Sequence, residues 1–133
     1  MCKDDLLEEI LRVERLSKQF VKKYMLSSNI SMVKAVEDVS FSLYNGEVLV
    51  IAGESGSGKS TIAKLILGAI DSDSGEIFFE GKKSNDEPNI LKKIRMQCQM
   101  VYQDPYESIN PRMKVADIIS EPLEIHNIGD SLE

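Results

Sequence analysis

Nine consecutive residues have the types and the spacing to hold phosphate: Gly53, Glu54, Ser55, Gly56, Ser57, Gly58, Lys59, Ser60 and Thr61. A glycine, four residues, then Gly-Lys-Ser is the P-loop pattern. Its chemistry requires these residues. Glycines let the backbone turn through positive φ and approach an anion closely, so that successive N–H groups wrap a phosphate. A helix beginning near Lys59 aims its unpaired N–H groups and positive dipole end at the same place. Lys59 is then the cation for β- and γ-phosphates, and the Ser60 hydroxyl is a ligand for Mg²⁺. The flanks are those the motif needs, an apolar run Val48–Ala52 before it and the helix-periodic Ile62, Leu65, Ile66 and Ala69 after it. The alternative, a glycine-rich strand-to-helix turn with a chance Lys-Ser, does not account for both flanks. The motif implies that the chain binds a nucleoside triphosphate or descends from one that did.

Composition bounds the rest. The 133 residues suffice for one domain, with 42% hydrophobic and 29% charged residues. Sixteen Lys and Arg against 22 Asp and Glu leave a net charge of −6, which argues against a nucleic-acid partner. No apolar run reaches membrane-spanning length, and the N-terminus lacks the apolar core of a signal peptide. Cys2 and Cys98 are far apart, with no CxxC and no neighbouring histidine, and read as reduced thiols.

The elements that must position the motif follow from periodicity. Residues 1–10 read as a mobile terminus, and the alternation at Leu11 and Val13 predicts a half-buried strand. Ser17–Ser31 reads as a hairpin loop. Val33, Ala35, Val39, Phe41 and Leu43 share one parity and predict one or two strands with a single wet face. Asn45-Gly46 is a turn into Val48–Ala52, a strand apolar on both faces. A turn at Asp71–Gly75, a strand at Glu76–Glu80 and a turn at Gly81-Lys82 come next. Pro88 opens a helix whose Lys92, Lys93 and Arg95 read as a solvated face. Met96–Tyr102 reads as a strand, with Gln103 at its end, where ligands sit in open α/β sheets. Val115, Ile118, Ile119 and Leu123 predict an amphipathic helix that Pro122 should kink or divide, and His126 reads as a surface or capping residue. The predicted architecture is α/β: a P-loop NTPase core with an antiparallel β-subdomain.

The P-loop, the β-region before it and the tract Met100-Val101-Tyr102-Gln103-Asp104-Pro105-Tyr106-Glu107-Ser108-Ile109-Asn110-Pro111-Arg112-Met113 together resemble the ATPase subunits of ATP-binding-cassette (ABC) transporters. With Glu121-Pro122-Leu123, the wording is similar to the oligopeptide/dipeptide-importer branch, which nickel importers share. The resemblance runs from about Leu11 to Leu123, and residues 11–133 then read as the N-terminal part of a nucleotide-binding domain. It implies ATP and Mg²⁺ as cofactors, with Gly53 to Thr61 on the phosphates and Ser60 and Gln103 at the metal. It also implies an aromatic residue stacked on adenine. Phe20 matches best, Tyr24 second, and ordinary core packing is the competing reading of Phe20. The implied partners are transmembrane permease subunits and a second ATPase subunit, with the protein cytoplasmic and peripheral on the inner face of the cell membrane. Tyr106 to Met113 would lie where the family meets its permease.

The family's Leu-Ser-Gly-Gly-Gln signature, Walker B Asp-Glu and switch histidine do not occur in these residues. No residue here is therefore assigned as catalytic, and the 133 residues alone are expected to bind ATP without hydrolysing it. The expectation is an incomplete domain, completed by a C-terminal half encoded with it or separately. Two other functions compete, a non-catalytic module docking on a transporter partner, and another P-loop class such as a GTPase or kinase. The GTPase motifs Asp-x-x-Gly and Asn-Lys-x-Asp are absent.

Overall fold

Two strands of 15 residues each, β1 (Glu9–Lys23) and β2 (Ile30–Tyr44), pair antiparallel. The structure is a computed structural model that describes residues 8–23, 30–84, 88–104, 106, 109–126 and 128–129. Residues 1–7 of the expected mobile terminus, with Cys2, lie outside the described residues, as does Tyr24; β1 itself begins at Glu9. The chain falls into two units that meet in sequence at Gln97 and Cys98.

In the first unit, β1 and β2 join β3 (Ser74–Phe79) and β4 (Lys82–Lys83) in an antiparallel sheet of order β2-β1-β3-β4. β3 and β4 are joined by Glu80 and Gly81, with φ of 47° and 73°. Two positive φ angles in a two-residue loop match the right-handed twist of the flanking strands. Helices α1 (Lys59–Ile66) and α2 (Pro88–Gln97) complete this unit. Its core is Leu11, Val13 and Leu16 of β1, Val36 of β2, Ile62 and Leu65 of α1, Ile77 and Phe79 of β3, and Ile90 and Ile94 of α2.

Val13 and Leu16 have opposite parity, yet both are buried. The register of β1 shifts between them, and Arg15 has a φ of 48°. That is a β-bulge, in which one extra residue turns the following side chains to the other face. β2 has a matching positive φ of 50° at Asp38. Serine side chains bond to the backbone at both places: Arg15 N donates to Ser40 Oγ (2.8 Å) and Asp38 N to Ser17 Oγ (3.0 Å). The single parity expected for β2 is thereby overturned, since Val36 is buried while Val33 is 38% exposed. The hairpin loop expected at Ser17–Ser31 is also corrected, because β1 runs on to Lys23 and β2 starts at Ile30.

Two further strands are corrected. Val48–Ala52 has no regular structure, and Val48 and Val50 are 86% and 78% exposed. An apolar run becomes a strand only where another backbone pairs with it, and none of the described ladders includes it. Of Met96–Tyr102, Met96 and Gln97 finish α2 and residues 98–102 are irregular.

The basic residues of α2 are not a plain solvated face. Lys93 pairs with Glu80, and Arg95 Nη2 donates to the Gly68 carbonyl (2.8 Å), just past the end of α1. In the second unit, Met113 N donates to the Asn110 carbonyl (3.1 Å) across a turn with Pro111 at its second position. Helix α3 (Val115–His126) follows and runs through Pro122 undivided. His126 closes α3 with Nδ1 buried and without a partner among the described residues, so that nitrogen caps nothing there. No helix among the described residues is long and apolar enough to cross a membrane.

Candidate functional site

The glycine loop runs from Gly53 directly into the N-terminus of α1. Ser57 N donates to the Glu54 carbonyl (3.2 Å), closing a turn, and Ile62 N donates to the Gly58 carbonyl (3.0 Å), opening the helix. The first-turn N–H groups of such a helix have no intrahelical acceptor. Gly58 caps α1 with a φ of 95° and no side-chain cap. A β-carbon there would lie 2.0 Å from the Ala35 carbonyl oxygen of β2. Glycine is thus required twice at Gly58, by the left-handed backbone and by contact with the sheet. That contact seats the loop and the start of α1 against β2.

Lys59 folds back over the loop. Its Nζ donates to the carbonyls of Gly53 (2.8 Å) and Glu54 (2.6 Å) and to Ser57 Oγ (3.3 Å). One ammonium group is therefore held in a ring of loop acceptors at the positive end of a helix. Cation, helix N-terminus and exposed glycine backbone converge, a donor set suited to a multiply charged phosphate. Ser60 is exposed in the first turn, beside Lys59. The residues present fit a nucleoside triphosphate on chemical grounds: N–H groups, one ammonium and one hydroxyl for a cation.

Phe20 lies in β1, opposite Val33 of β2, and is 40% exposed, so it is not a core residue. Lys18 Nζ stands 5.8 Å from its ring centroid. Lys18 in turn donates to Asp73 Oδ1 (2.9 Å), and Gln19 N donates to Asp73 Oδ2 (2.6 Å). The bond from Lys18, then that from Gln19, hold the Asp73 carboxyl below the usual carboxylate range. By its sequence Asp73 reads only as a turn residue. No local signal could link it to a lysine 55 positions away.

Gln103 belongs to the second unit, exposed at a bend. The next residue, Asp104, accepts the Tyr106 N–H on Oδ1 (2.9 Å). Cys98 is half-buried and unpaired, and burial raises its thiol pKa, the condition of an unreactive cysteine. Among the described residues, no group of three or more His, Cys, Asp or Glu side chains could hold a metal ion.

Residues 36–131 match the ABC transporter family. The chain is 44% identical over 119 residues to the probable peptide ABC transporter ATP-binding protein y4tS of Sinorhizobium fredii, covering 88% of this chain and 34% of that protein. It is 40% identical over 124 residues to the oligopeptide transport ATP-binding protein OppF of Bacillus subtilis, covering 92% of this chain and 39% of that one. The chain thus spans little more than a third of the length of these relatives. Its fold resembles the dimeric bacterial ABC transporter cassette MJ0796, with a TM-score of 0.68 at 24% identity over 92% of this chain and 50% of that one.

Proposed function

The chain belongs to the ABC transporter family, and from that premise we propose that it binds ATP with Mg²⁺ at Gly53–Thr61 as part of the ATP-binding subunit of a peptide importer. The observation that carries the reading is the Lys59 ammonium, held by loop carbonyls at the N-terminus of α1. Those carbonyls are neutral partners. A phosphate offers the ammonium an anionic acceptor instead, which adds the attraction of opposite charges to the hydrogen bond. Lys59 would be the cation for the β- and γ-phosphates, and backbone N–H groups from Gly53 to Thr61 would hold them. The Ser60 hydroxyl would ligate the Mg²⁺, which when bound neutralises charge on the phosphates. Phe20 would stack on the base.

Peptide import is supported by the two relatives, a probable peptide ABC transporter ATP-binding protein and an oligopeptide transport ATP-binding protein. In this reading the protein works on the inner face of the membrane with permease subunits and a second ATPase subunit, and ATP binding energises transport.

The test is calorimetric titration with a non-hydrolysable ATP analogue and Mg²⁺. Lys59→Ala removes a hydrogen-bonding charge worth about 1.5–3 kcal/mol, which corresponds to roughly 10- to 100-fold weaker binding. Equal affinity for the two proteins would refute the site.

A further inference from the structure

We propose that Asp73 is a positioning residue for the nucleotide base, setting the part of β1 that carries Phe20 through its bonds to Lys18 and to the Gln19 backbone. The inference rests on the reading of Phe20 as the base-stacking residue.

The case begins with the β1–β3 ladder. Its last pair is Ser17 with Ser74, so beyond Ser17 β1 has a strand partner on the β2 side only. Asp73 stands immediately before β3. Its backbone N donates to the Ser17 carbonyl (3.0 Å), and its carboxylate takes the Gln19 N–H, the donor that a longer β3 would have satisfied. One side chain thus extends the sheet by two residues and stops next to Phe20.

The same carboxylate fixes Lys18. The side chain of Lys18 is only 16% exposed, whereas that of Asp73 is 46% exposed, so the lysine is laid down along the protein rather than waving in solvent. Its ammonium stands near the Phe20 ring, a cation–π arrangement that holds ring and strand together. Asp73 also terminates the segment that follows α1, the helix whose other end meets the glycine loop.

This arrangement makes a specific demand on binding data. Loss of the Asp73 carboxylate should loosen Phe20 and leave the phosphate loop alone. The measurements are affinities for MgATP analogue and for magnesium tripolyphosphate, which lacks a base, in wild type, Asp73→Ala, Phe20→Ala and the double variant. Stacking of a base on an aromatic residue is worth about tenfold in affinity. Asp73→Ala is expected to lose up to about that factor for the ATP analogue, to leave tripolyphosphate within about twofold, and to add nothing in the Phe20→Ala background. Asp73→Asn and Lys18→Met provide the same comparison should Asp73→Ala fail to fold. Equal weakening of both ligands would show a merely structural role and overturn the proposal, as would unchanged ATP affinity in Asp73→Ala when Phe20→Ala is impaired. If Phe20→Ala itself binds ATP normally, the base-stacking reading falls and takes this proposal with it. Lys59→Ala, which should lose both ligands, tests the phosphate site separately.

Discussion

A β-carbon on Gly58 would stand 2.0 Å from the Ala35 carbonyl oxygen, and the residue's φ of 95° is left-handed. For an L-residue that conformation alone costs about 1–2 kcal/mol. The contact is with backbone in a strand, so it cannot be relieved by a side-chain rotation. Gly58→Ala is therefore expected to lower the unfolding free energy by more than about 2 kcal/mol in urea titration, the cost of strain and clash together. A loss of a few tenths would mean that the loop does not seat on β2 in solution. Lys59 is the opposite case. Its acceptors are exposed loop atoms, so Lys59→Ala should leave the melting temperature within about 2 °C, in keeping with surface substitutions near ±0.5 kcal/mol. Loss of nucleotide affinity without loss of melting temperature would then belong to the ligand rather than to the fold.

Among the elements, α1 depends on α2 for its end. Arg95 Nη2 donates to the Gly68 carbonyl and Nε lies 3.4 Å from that of Leu67, placing a guanidinium at the negative end of the helix dipole. Arg95→Ala should destabilise the protein by about 1 kcal/mol, the usual worth of a capping interaction of this kind. Hydrogen exchange should locate the effect, with faster exchange over residues 64–68 than elsewhere; a uniform change would contradict it. The sheet has its own pH dependence at Asp73. Its carboxyl is held below the ordinary value of 3.8 by Lys18 and the Gln19 N–H. Because the folded pKa is the lower one, the contribution is fully present above about 3.8 and is lost as pH falls through the folded value. The melting-temperature advantage of wild type over Asp73→Asn should be constant from pH 6 to 5 and should shrink below pH 4. An advantage that persists undiminished at pH 2 would show that the carboxylate charge is not what holds β1.

At the scale of the molecule, the most apolar segment of the chain is also among its most exposed. Val48 and Val50 face solvent almost fully, and Val101 is 94% exposed. An unpaired apolar backbone is a template for another strand, and contiguous exposed apolar surface favours association. A polypeptide of these 133 residues should bind a hydrophobic dye and self-associate with rising concentration. A Val48→Lys, Val50→Lys double substitution should reduce both, as charges on an exposed edge do. Monomeric behaviour without dye binding in the unsubstituted chain would show that these residues are covered in solution.

Features that depend on neighbours along the chain are legible in the sequence. The P-loop is legible because its ligating groups are backbone amides of consecutive residues, and their glycines announce the positive φ found at Gly56 and Gly58. α1 and the turn before β4 are legible for the same reason, the one from helical spacing, the other from Gly81. The tract around Gln103 carried the family resemblance, and the family match bears it out. The rest depends on contacts between segments distant in the chain. Val48–Ala52 has the composition of a central strand, but pairing is a property of two backbones and composition describes one. A bulge at Asp38 breaks the single parity expected of β2, and Val36 is buried while Val33 is 38% exposed, since one added residue turns the side chains on its two sides to opposite faces. Pro122 does not divide α3, because a proline removes one hydrogen bond and the turns on either side still form. Asp73 met Lys18 across 55 positions, a distance over which sequence carries no geometry and only the folded sheet brings a carboxylate to an ammonium.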